Sequence, residues 1–300
     1  MRAPATKPPG GIVAAIDGSP RSLAALNAAV ELASARNCPV HTINVIPPFA
    51  SYAFGAELDE SPNEVESLRF NIREVAIRDL LAKVRLQNDC TNEVVSGRVA
   101  REVVAAAERR LADLIIVGKR RQTPPDRFLG GEMTLEIIRM TSIAVLAVEA
   151  EHFSPKTVIA ATDFSTSSTR AARLAIDLLC EKGKLYLVHV DAATDPELDE
   201  YMALERRHVR GDFSSLFREQ LDDIGVPVGV NVETVTLSGK PAPQILEFAA
   251  KVGGDLIACG PHGRSGLERF LLGSVSTAIV RNSKCATLVV PPDPRMRGNR

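Results

Sequence analysis

The sequence is poor in aromatic residues and has no excess charge of either sign. Aromatic side chains make up 4% of the 300 residues and tryptophan is absent, which leaves little material for base-stacking surfaces or aromatic sugar-binding walls. The 36 Lys and Arg residues are balanced by 37 Asp and Glu residues, so the net charge is −1. This balance gives the chain no electrostatic reason to bind nucleic acid or anionic lipid. We expect a ligand that is held largely by backbone groups and small side chains.

Cysteine pairs and long apolar runs are also missing. The five cysteines are far apart and none forms a Cys-x-x-Cys pair, which is typical of unpaired thiols in a reducing compartment. No apolar run reaches the roughly 18 residues that a membrane span needs. The apolar run that stops at Asp17 is too short for the core of a signal peptide. With 45% hydrophobic and 24% charged residues, we expect a globular, cytoplasmic protein that binds no membrane.

Two pairs of similar segments indicate a tandem duplication. An apolar run that ends in Asp17, followed by a turn rich in Ser and a helical pattern, recurs in the run that ends in Asp163, 146 residues later. A second run ends in Gly118 and recurs in the run that ends in Gly260, 142 residues later. Because both offsets are close to half the length and come in the same order, we predict two similar domains, residues 1–150 and 151–300.

Each half alternates apolar runs with amphipathic segments. The predicted strands lie at about 11–17, 40–46, 92–96, 113–118 and 143–149, and at about 157–163, 185–190, 228–237, 255–260 and 286–291. The predicted helices carry side chains spaced three and four residues apart. These stripes are Leu23, Leu26, Val30 and Ala33; Val65, Leu68, Ile72 and Val75; Val103, Ala107 and Leu111; Phe213, Phe217, Gln220 and Ile224; and Ile245, Ala249 and Val252. Nearly continuous apolar strands alternating with helices predict an α/β fold with parallel sheets covered on both faces.

A glycine-rich segment follows the fourth predicted strand of the second half, where ligands of open α/β sheets bind. Gly260 and Gly263 lack a Cβ atom, so the backbone can approach an anion and adopt positive φ. Gly273 and Ser274 open the last predicted helix, whose free N–H groups favour a phosphate, and Arg264 would add a charge-assisted contact. Each residue alone is more typical of an ordinary turn or N-cap. The predicted phosphate site therefore depends on their joint spacing.

Two residues at the ends of neighbouring predicted strands complete this site. Asp163 ends the first strand of the second half, and its carboxylate suits a ribose hydroxyl or an adenine amino group. Val190 ends the second strand and would pack against a base. Because the carboxyl ends of parallel strands meet at one edge, both residues are expected beside the glycine-rich segment.

The pattern Gly-x2-Gly-x9-Gly-Ser over residues 260–274, with His262, Arg264, Gly266 and Val275 in and around it, resembles the universal stress protein family. The resemblance covers both halves. It implies in each a flavodoxin-like (Rossmann-like) fold with a five-stranded parallel sheet of order 3-2-1-4-5. It also implies that the loop binds the phosphates of ATP, which Mg²⁺ commonly accompanies, and that Asp163 and Val190 contact adenosine. The predicted nucleotide contacts are Asp163, Val190, Gly260, Gly263, Arg264, Gly273, Ser274, Val275 and Ser276.

The first half departs from this pattern. Arg121 stands in place of the second glycine and Glu132 in place of Ser274, and a carboxylate at a helix N-terminus would repel a phosphate there. Asp17 and Val45 persist, so a crevice of the size of a base remains without its phosphate cradle. We hypothesise that the first half is a degenerate, mainly structural copy and that the second half is the nucleotide site. The alternative that Arg121 contacts phosphate from a rearranged loop stays open.

No catalytic or metal-binding set stands out. The histidines lack metal-ligand spacing, and neither a Walker A motif nor a Gly-x-Ser-x-Gly elbow is present. We therefore expect an ATP-binding stress-response protein without strong catalysis. Two alternatives stay open: a slow ATP hydrolase or nucleotidyl-transfer enzyme that uses Asp163 and His262, and a nucleotide-free interaction scaffold. The two halves are expected to pack as an intramolecular pseudo-dimer, and pairing of whole chains into a homodimer is left open.

Overall fold

The computed structural model of the chain describes residues 10–48, 62–84, 90–119, 132–191, 213–261 and 272–292. The chain divides into two compact units, Met1–Phe153 and Ser154–Arg300. Among the helices of the described ranges, none is long and apolar enough to cross a membrane.

The first unit alternates strands and helices around a parallel sheet. Its described elements are β1 (Ile12–Ala15), α1 (Pro20–Arg36), β2 (Val40–Ile46), α2 (Pro62–Ala82), β3 (Cys90–Ser96), α3 (Val99–Arg109), β4 (Leu114–Gly118), α4 (Glu132–Met140) and β5 (Ala144–Val148). The strands pair in the order β3-β2-β1-β4-β5, and every pair is parallel.

The second unit repeats this arrangement. Its described elements are β6 (Thr157–Thr162), α5 (Thr166–Leu178), β7 (Lys184–Asp191), α6 (Ser214–Ile224), β8 (Asn231–Ser238), α7 (Pro241–Val252), β9 (Leu256–Cys259), α8 (Ser274–Asn282) and β10 (Ala286–Val289). The strands pair in parallel in the order β8-β7-β6-β9-β10. The predicted α/β fold, with sheet order 3-2-1-4-5 in each half, is confirmed.

The central strands form the core because their side chains are apolar on both faces. The four residues of β4 from Leu114 to Val117 are fully buried, as are Val158 to Ala160 in β6. Successive side chains of a strand point to opposite faces, so burial of consecutive residues requires cover on both sides. Helices α1 and α3 both pack against β1, and α5 packs against β6 and β9. These buried strands fix the position of the loops that follow their carboxyl ends.

The edge strands differ from the prediction. Strands β3 and β8 are largely exposed or half-buried along their length, so the expected cover on both faces holds only for the inner strands. The predicted run 228–237 begins too early, since β8 starts at Asn231 and Val228 is fully exposed. An edge strand has a neighbour on one side only, and its polar residues face solvent.

The predicted buried face of α2 is wrong. Leu68, Ile72 and Val75 are 54%, 60% and 53% exposed, whereas Ile77 and Leu80 on the same helix are buried. Among the described strands, helix α2 packs mainly against β2 and β3, which cover the side that carries Ile77 and Leu80. The side chain of Val65, which belonged to the same predicted stripe, lies outside the described residues. Spacing alone identified the helix but not the side that meets the sheet.

The other predicted stripes fit better. Phe217, Gln220 and Ile224 on α6, and Ile245 and Ala249 on α7, are buried. Leu111 is the exception, because α3 ends at Arg109 and Leu111 is exposed beyond it.

A pair of matched substitutions tests the orientation of α2. Ile77→Ala removes a fully buried side chain, and we expect it to lower the free energy of unfolding by about 2–5 kcal/mol. Ile72→Ala removes an exposed one and is expected to change that free energy by no more than about 0.5 kcal/mol. Urea denaturation of both variants measures the difference. Equal losses would contradict the orientation of the helix.

Candidate functional site

A cavity of about 370 Å³ lies in the second unit, where β6, β7 and β9 end. Seven of the nine predicted contact residues line it: Asp163, Val190, Gly260, Gly273, Ser274, Val275 and Ser276. The other two, Gly263 and Arg264, lie outside the described residues, as does His262. Sequence reasoning did not assign the remaining lining residues to the site: Ala161, Thr162, Ser168, His189, Pro241, Ile245, Cys259 and Pro261.

The N-terminus of α8 is fixed against the end of β9 by two hydrogen bonds to one carbonyl group. The N–H of Gly273 donates to the Pro261 carbonyl oxygen over 2.7 Å, and the Ser276 hydroxyl donates to the same oxygen over 2.8 Å. Gly273 is the N-cap, with φ −61° and ψ 155°, so Ser274 is the first helical residue rather than the cap. The first-turn N–H groups of Ser274, Val275 and Ser276 have no acceptor within the helix. They belong to residues that line the cavity, which makes this end of the cavity suitable for an anion.

Asp163 lines the cavity, and its two carboxylate oxygens have different surroundings. Its Oδ1 accepts hydrogen bonds from the N–H and the hydroxyl of Ser165, at 3.1 and 2.6 Å. Ser165 in turn caps α5 by accepting from the N–H of Ser168 over 3.2 Å. The second oxygen, Oδ2, is buried and has no hydrogen-bond partner within the described part of the chain. A buried acceptor without a partner costs free energy, so this oxygen suits a donor from a ligand.

A buried polar network positions the backbone on either side of Asp163. The Thr162 hydroxyl accepts from the N–H of Phe164 over 2.8 Å and donates to the side-chain oxygen of Gln220 over 2.8 Å. His189 contacts the Thr162 carbonyl oxygen through Nδ1 over 2.9 Å. Because a carbonyl can only accept, Nδ1 carries the proton. Gln220, predicted as part of an apolar stripe, is buried as a partner in this network.

Phe164 adopts a positive φ of 62°, which is uncommon for a residue with a side chain. Its ring contacts His189, Phe213 and Phe217, with ring centroids 4.7, 6.0 and 5.1 Å apart. In the first unit Gly18 occupies the corresponding position after Asp17, with φ 79°. The turn after the aspartate therefore needs the left-handed conformation in both units, and packing of the Phe164 ring offsets the cost in the second.

The role predicted for Gly260 is partly wrong. Its φ is not positive; instead, a Cβ atom at this position would lie 3.0 Å from the Cβ of Ser167 at the start of α5. A Cβ at Gly118 in the first unit would lie 2.7 Å from the carbonyl oxygen of Arg21. In both units the helix that follows the first strand approaches the end of the fourth strand closely, so a side chain there would force a shift, which is larger at Gly118 because the neighbour is a backbone atom.

The first unit has a cavity of about 330 Å³ at the equivalent place, and Asp17, Val45 and Gly118 line it. The Asp17 carboxylate accepts from the Ser19 N–H over 3.0 Å and from the Ser22 hydroxyl. Burial acts to raise the pKa of Asp17, but these hydrogen bonds and the nearby Arg73 guanidinium outweigh it and lower the pKa. Helix α4 begins at Glu132, with this carboxylate in its first turn. Arg121, which stands in place of the second glycine of the pattern, lies outside the described residues.

The floor of the second cavity contains a thiol. Cys259 lies at the end of β9 and is fully buried, and burial raises its pKa to about 12. A thiol that stays protonated is a poor nucleophile and a poor redox sensor.

Thiol labelling tests this environment. In the native protein at pH 8 we expect iodoacetamide to leave Cys259 unmodified and to modify the half-buried Cys180, because only the thiolate reacts and Cys259 is enclosed. Peptide mass mapping after labelling, with the urea-unfolded chain as the control, measures both. Labelling of Cys259 as fast as Cys180 would contradict the burial described here.

Comparisons with known proteins agree with the fold and the motif. The sequence profile of the universal stress protein family matches residues 11–149 and again residues 155–291. Universal stress protein Rv1996 of Mycobacterium tuberculosis is 27% identical over 95% of this chain and 96% of its own length. Universal stress protein MJ0531 of Methanocaldococcus jannaschii is 34% identical over 45% of this chain and 81% of its own.

A solved structure has the same fold over nearly the whole chain. It is a universal stress protein from Archaeoglobus fulgidus, with a TM-score of 0.68 and 18% identity, covering 94% of this chain and 98% of its own. The two profile matches together span most of the sequence, and the predicted resemblance is confirmed. The chain therefore belongs to the universal stress protein family, whose profile it matches once in each half.

Proposed function

We propose that the second unit binds ATP and that the protein acts as a stress-response regulator without strong catalysis. The observation that carries the proposal is the unpartnered Oδ2 of Asp163, on a residue that lines the same cavity as the first turn of α8. The described lining combines a carboxylate acceptor with backbone N–H donors. An adenosine phosphate has the complementary groups, with donor hydroxyl and amino groups on the nucleoside and acceptor oxygens on the phosphates.

The nucleoside end is formed by Asp163 and apolar side chains. Val190 and Ile245 are buried and line the cavity, so they offer an apolar surface to a purine. The Asp163 carboxylate would accept from a ribose hydroxyl or from the adenine amino group. Because Ser165 holds the other carboxylate oxygen, the side chain is oriented before the ligand arrives.

The phosphate end depends on backbone donors. Among the described lining residues Asp163 is the only Asp or Glu, and no Lys or Arg belongs to them. Attraction for a phosphate therefore comes from the α8 N–H groups and the helix dipole. Ser276 would contribute its backbone N–H, because its hydroxyl already donates to the Pro261 carbonyl oxygen. Gly263 and Arg264 are proposed as further contacts from the loop between β9 and α8.

We propose regulation rather than turnover because the sequence offers no dedicated catalytic base and no Walker A motif near the predicted phosphate site. We propose that Mg²⁺ accompanies the nucleotide phosphates. Cytoplasmic location, the intramolecular pseudo-dimer, homodimerisation and the absence of nucleic-acid binding stay predictions.

A charge substitution at Ser274 tests the phosphate end. Ser274→Glu places in the second unit the residue type that Glu132 provides at the start of α4. We expect the affinity for ATP to fall about tenfold or more through like-charge repulsion. Stability should not fall, because Ser274 is exposed and a carboxylate in a first turn favours the helix. Isothermal titration with ATP and thermal unfolding measure the two quantities.

Ser274→Gln is the control, because it has the same size without the charge and keeps the backbone N–H groups. Its affinity for ATP should stay within about threefold of the natural chain. Equal affinities of the Glu and Gln variants would place the phosphates elsewhere and overturn the proposal.

Asp163→Asn tests the nucleoside end. Replacing the charged acceptor should weaken ATP binding about tenfold, with Asp222→Asn, on the exposed side of α6, as the matched control. Adenosine should lose affinity by the same factor, because the contact lies on the nucleoside. Unchanged binding of both ligands would show that Asp163 is not a contact.

A further inference from the structure

We infer that the first unit contains an acid-sensitive element, in which protonation of the buried His41 weakens the attachment of the edge strand β3. His41 is the second residue of β2, and among the described strands β3 pairs with β2 alone. The residue does not line the first-unit cavity. The inference concerns first-unit residues only, so it does not depend on ATP binding by the second unit.

His41 is enclosed where β2 meets β3. Its side chain is 4% exposed. Nδ1 lies 2.7 Å from the Thr91 hydroxyl oxygen, and Nε2 lies 3.2 Å from Oε1 of Glu93. Thr91 pairs directly with His41 across the two strands, and Glu93 follows two residues later on the same face. The imidazole therefore joins the edge strand to the strand that holds it.

The carboxylate beside His41 is already paired with a cation. Arg109 donates from Nη2 to Oε1 of Glu93 over 2.8 Å. His41 Nε2 is buried and makes no aligned hydrogen bond with any described residue, despite its short distance from the same oxygen. A second proton on the ring would therefore place two cations beside one carboxylate. Acid would add a buried positive charge without adding a partner for it.

The charged groups that act on His41 come from two elements. Glu93 lies on β3, Arg109 ends α3, and Arg110 follows that helix; β1 is apolar, and in the described ranges α1 and α2 supply no charge to this environment. Burial lowers the pKa of His41 below 6.5; the Glu93 carboxylate opposes this effect, and the two guanidinium groups add to it. The neutral imidazole is the form that fits the folded unit.

The sign of the pH dependence follows from this lowered pKa. When β3 detaches, His41 meets water and its pKa returns to about 6.5, so the open form binds more protons than the closed form below that pH. The closed form keeps its full stability above pH 6.5 and loses stability as the pH falls towards the lower pKa of the closed form. An edge strand responds first, because it has a neighbour on one side only.

The second unit has a different arrangement at the corresponding place. Tyr186 on β7 has the position of His41 in the register with the first strand of its unit. A tyrosine keeps its proton between pH 5 and 8. The nearby Glu233 on β8 is paired with Lys184 over 2.6 Å. A histidine between the second and third strands at this position is therefore a feature of the first unit.

Hydrogen exchange of the full chain at pH 7.5 and 5.5, followed by mass spectrometry of its peptides, measures the opening of β3. After correction for the intrinsic exchange rate at each pH, we expect the opening constant of the Cys90–Ser96 amides to rise about fivefold to tenfold in acid. The size of the rise is set by the interval between pH 6.5 and 5.5, over which the open form gains its proton.

Substitution of the histidine removes the titrating group. His41→Gln keeps a polar side chain, so the rise should fall to less than about twofold. His152→Gln is the matched control, because the side chain of this histidine is 85% exposed and contacts Glu31 instead. It should keep the response of the natural chain. Thermal unfolding at pH 7.5 confirms that each variant is folded.

Substitution of the arginine tests the competition for the carboxylate. In Arg109→Gln, Glu93 is left to the protonated His41, so the rise in the opening constant should drop below about threefold. Arg101→Gln changes an exposed arginine on the same helix and should leave the rise as it is in the natural chain.

An opening constant of β3 that is the same at both pH values in the natural chain would overturn the inference, as would an equal rise in the natural chain and in His41→Gln. If His41→Gln does not fold, the two arginine variants decide, because equal rises in Arg109→Gln and Arg101→Gln would also overturn it. None of these measurements uses ATP. Failure of the proposed function would therefore leave this inference standing.

Discussion

The carbonyl group of Pro261 is the contact on which the second cavity depends. It accepts from the Gly273 N–H and the Ser276 hydroxyl, and so joins the end of β9 to the start of α8 across an intervening stretch of chain. The strand position is set by burial of Leu256 to Cys259 between its neighbours. Because the strand cannot shift without exposing apolar side chains, the helix N-terminus is held at a fixed distance from Asp163. Backbone donors can act as a binding site only when they are held in this way.

The two units keep one framework and differ in the groups attached to it. In the first, the Asn44 side chain donates to the Ile16 carbonyl oxygen over 2.6 Å; in the second, the His189 ring donates to the Thr162 carbonyl oxygen over 2.9 Å. In each unit, a side chain of the second strand thus donates a hydrogen bond to the carbonyl group at the end of the first strand, although the two residue types differ. The left-handed residue after each aspartate and the closely packed glycine after each fourth strand also recur.

The fold and most of the described site could be predicted from the sequence, for an identifiable physical reason. Buried parallel strands need continuous apolar residues, and the carboxyl ends of such strands must meet, so Asp163, Val190 and Gly260 could be placed together before any coordinates. The covered face of α2 could not be found, because spacing defines a stripe without saying which stripe meets the sheet. Positive φ at Phe164 could not be predicted from its own residue type, because phenylalanine rarely adopts it; Gly18 at the corresponding position of the first unit carries that signal instead. Gly260 was recognised as necessary, but its reason lies in a contact with α5 that only the three-dimensional structure contains.

The second unit contains two features that oppose folding at the place where we propose that ATP binds. Phe164 occupies a left-handed conformation, and Asp163 Oδ2 is buried without a partner among the described residues. Each costs on the order of 1–3 kcal/mol. A ligand that donates a hydrogen bond to Asp163 removes the cost of the buried, unpartnered oxygen. This gain is part of the binding free energy, because the cost exists only in the folded unit without ligand. Binding to the folded state alone stabilises that state by an amount that grows with nucleotide concentration. A protein of this kind can respond to nucleotide through its own stability, and no chemical turnover of the ligand is needed.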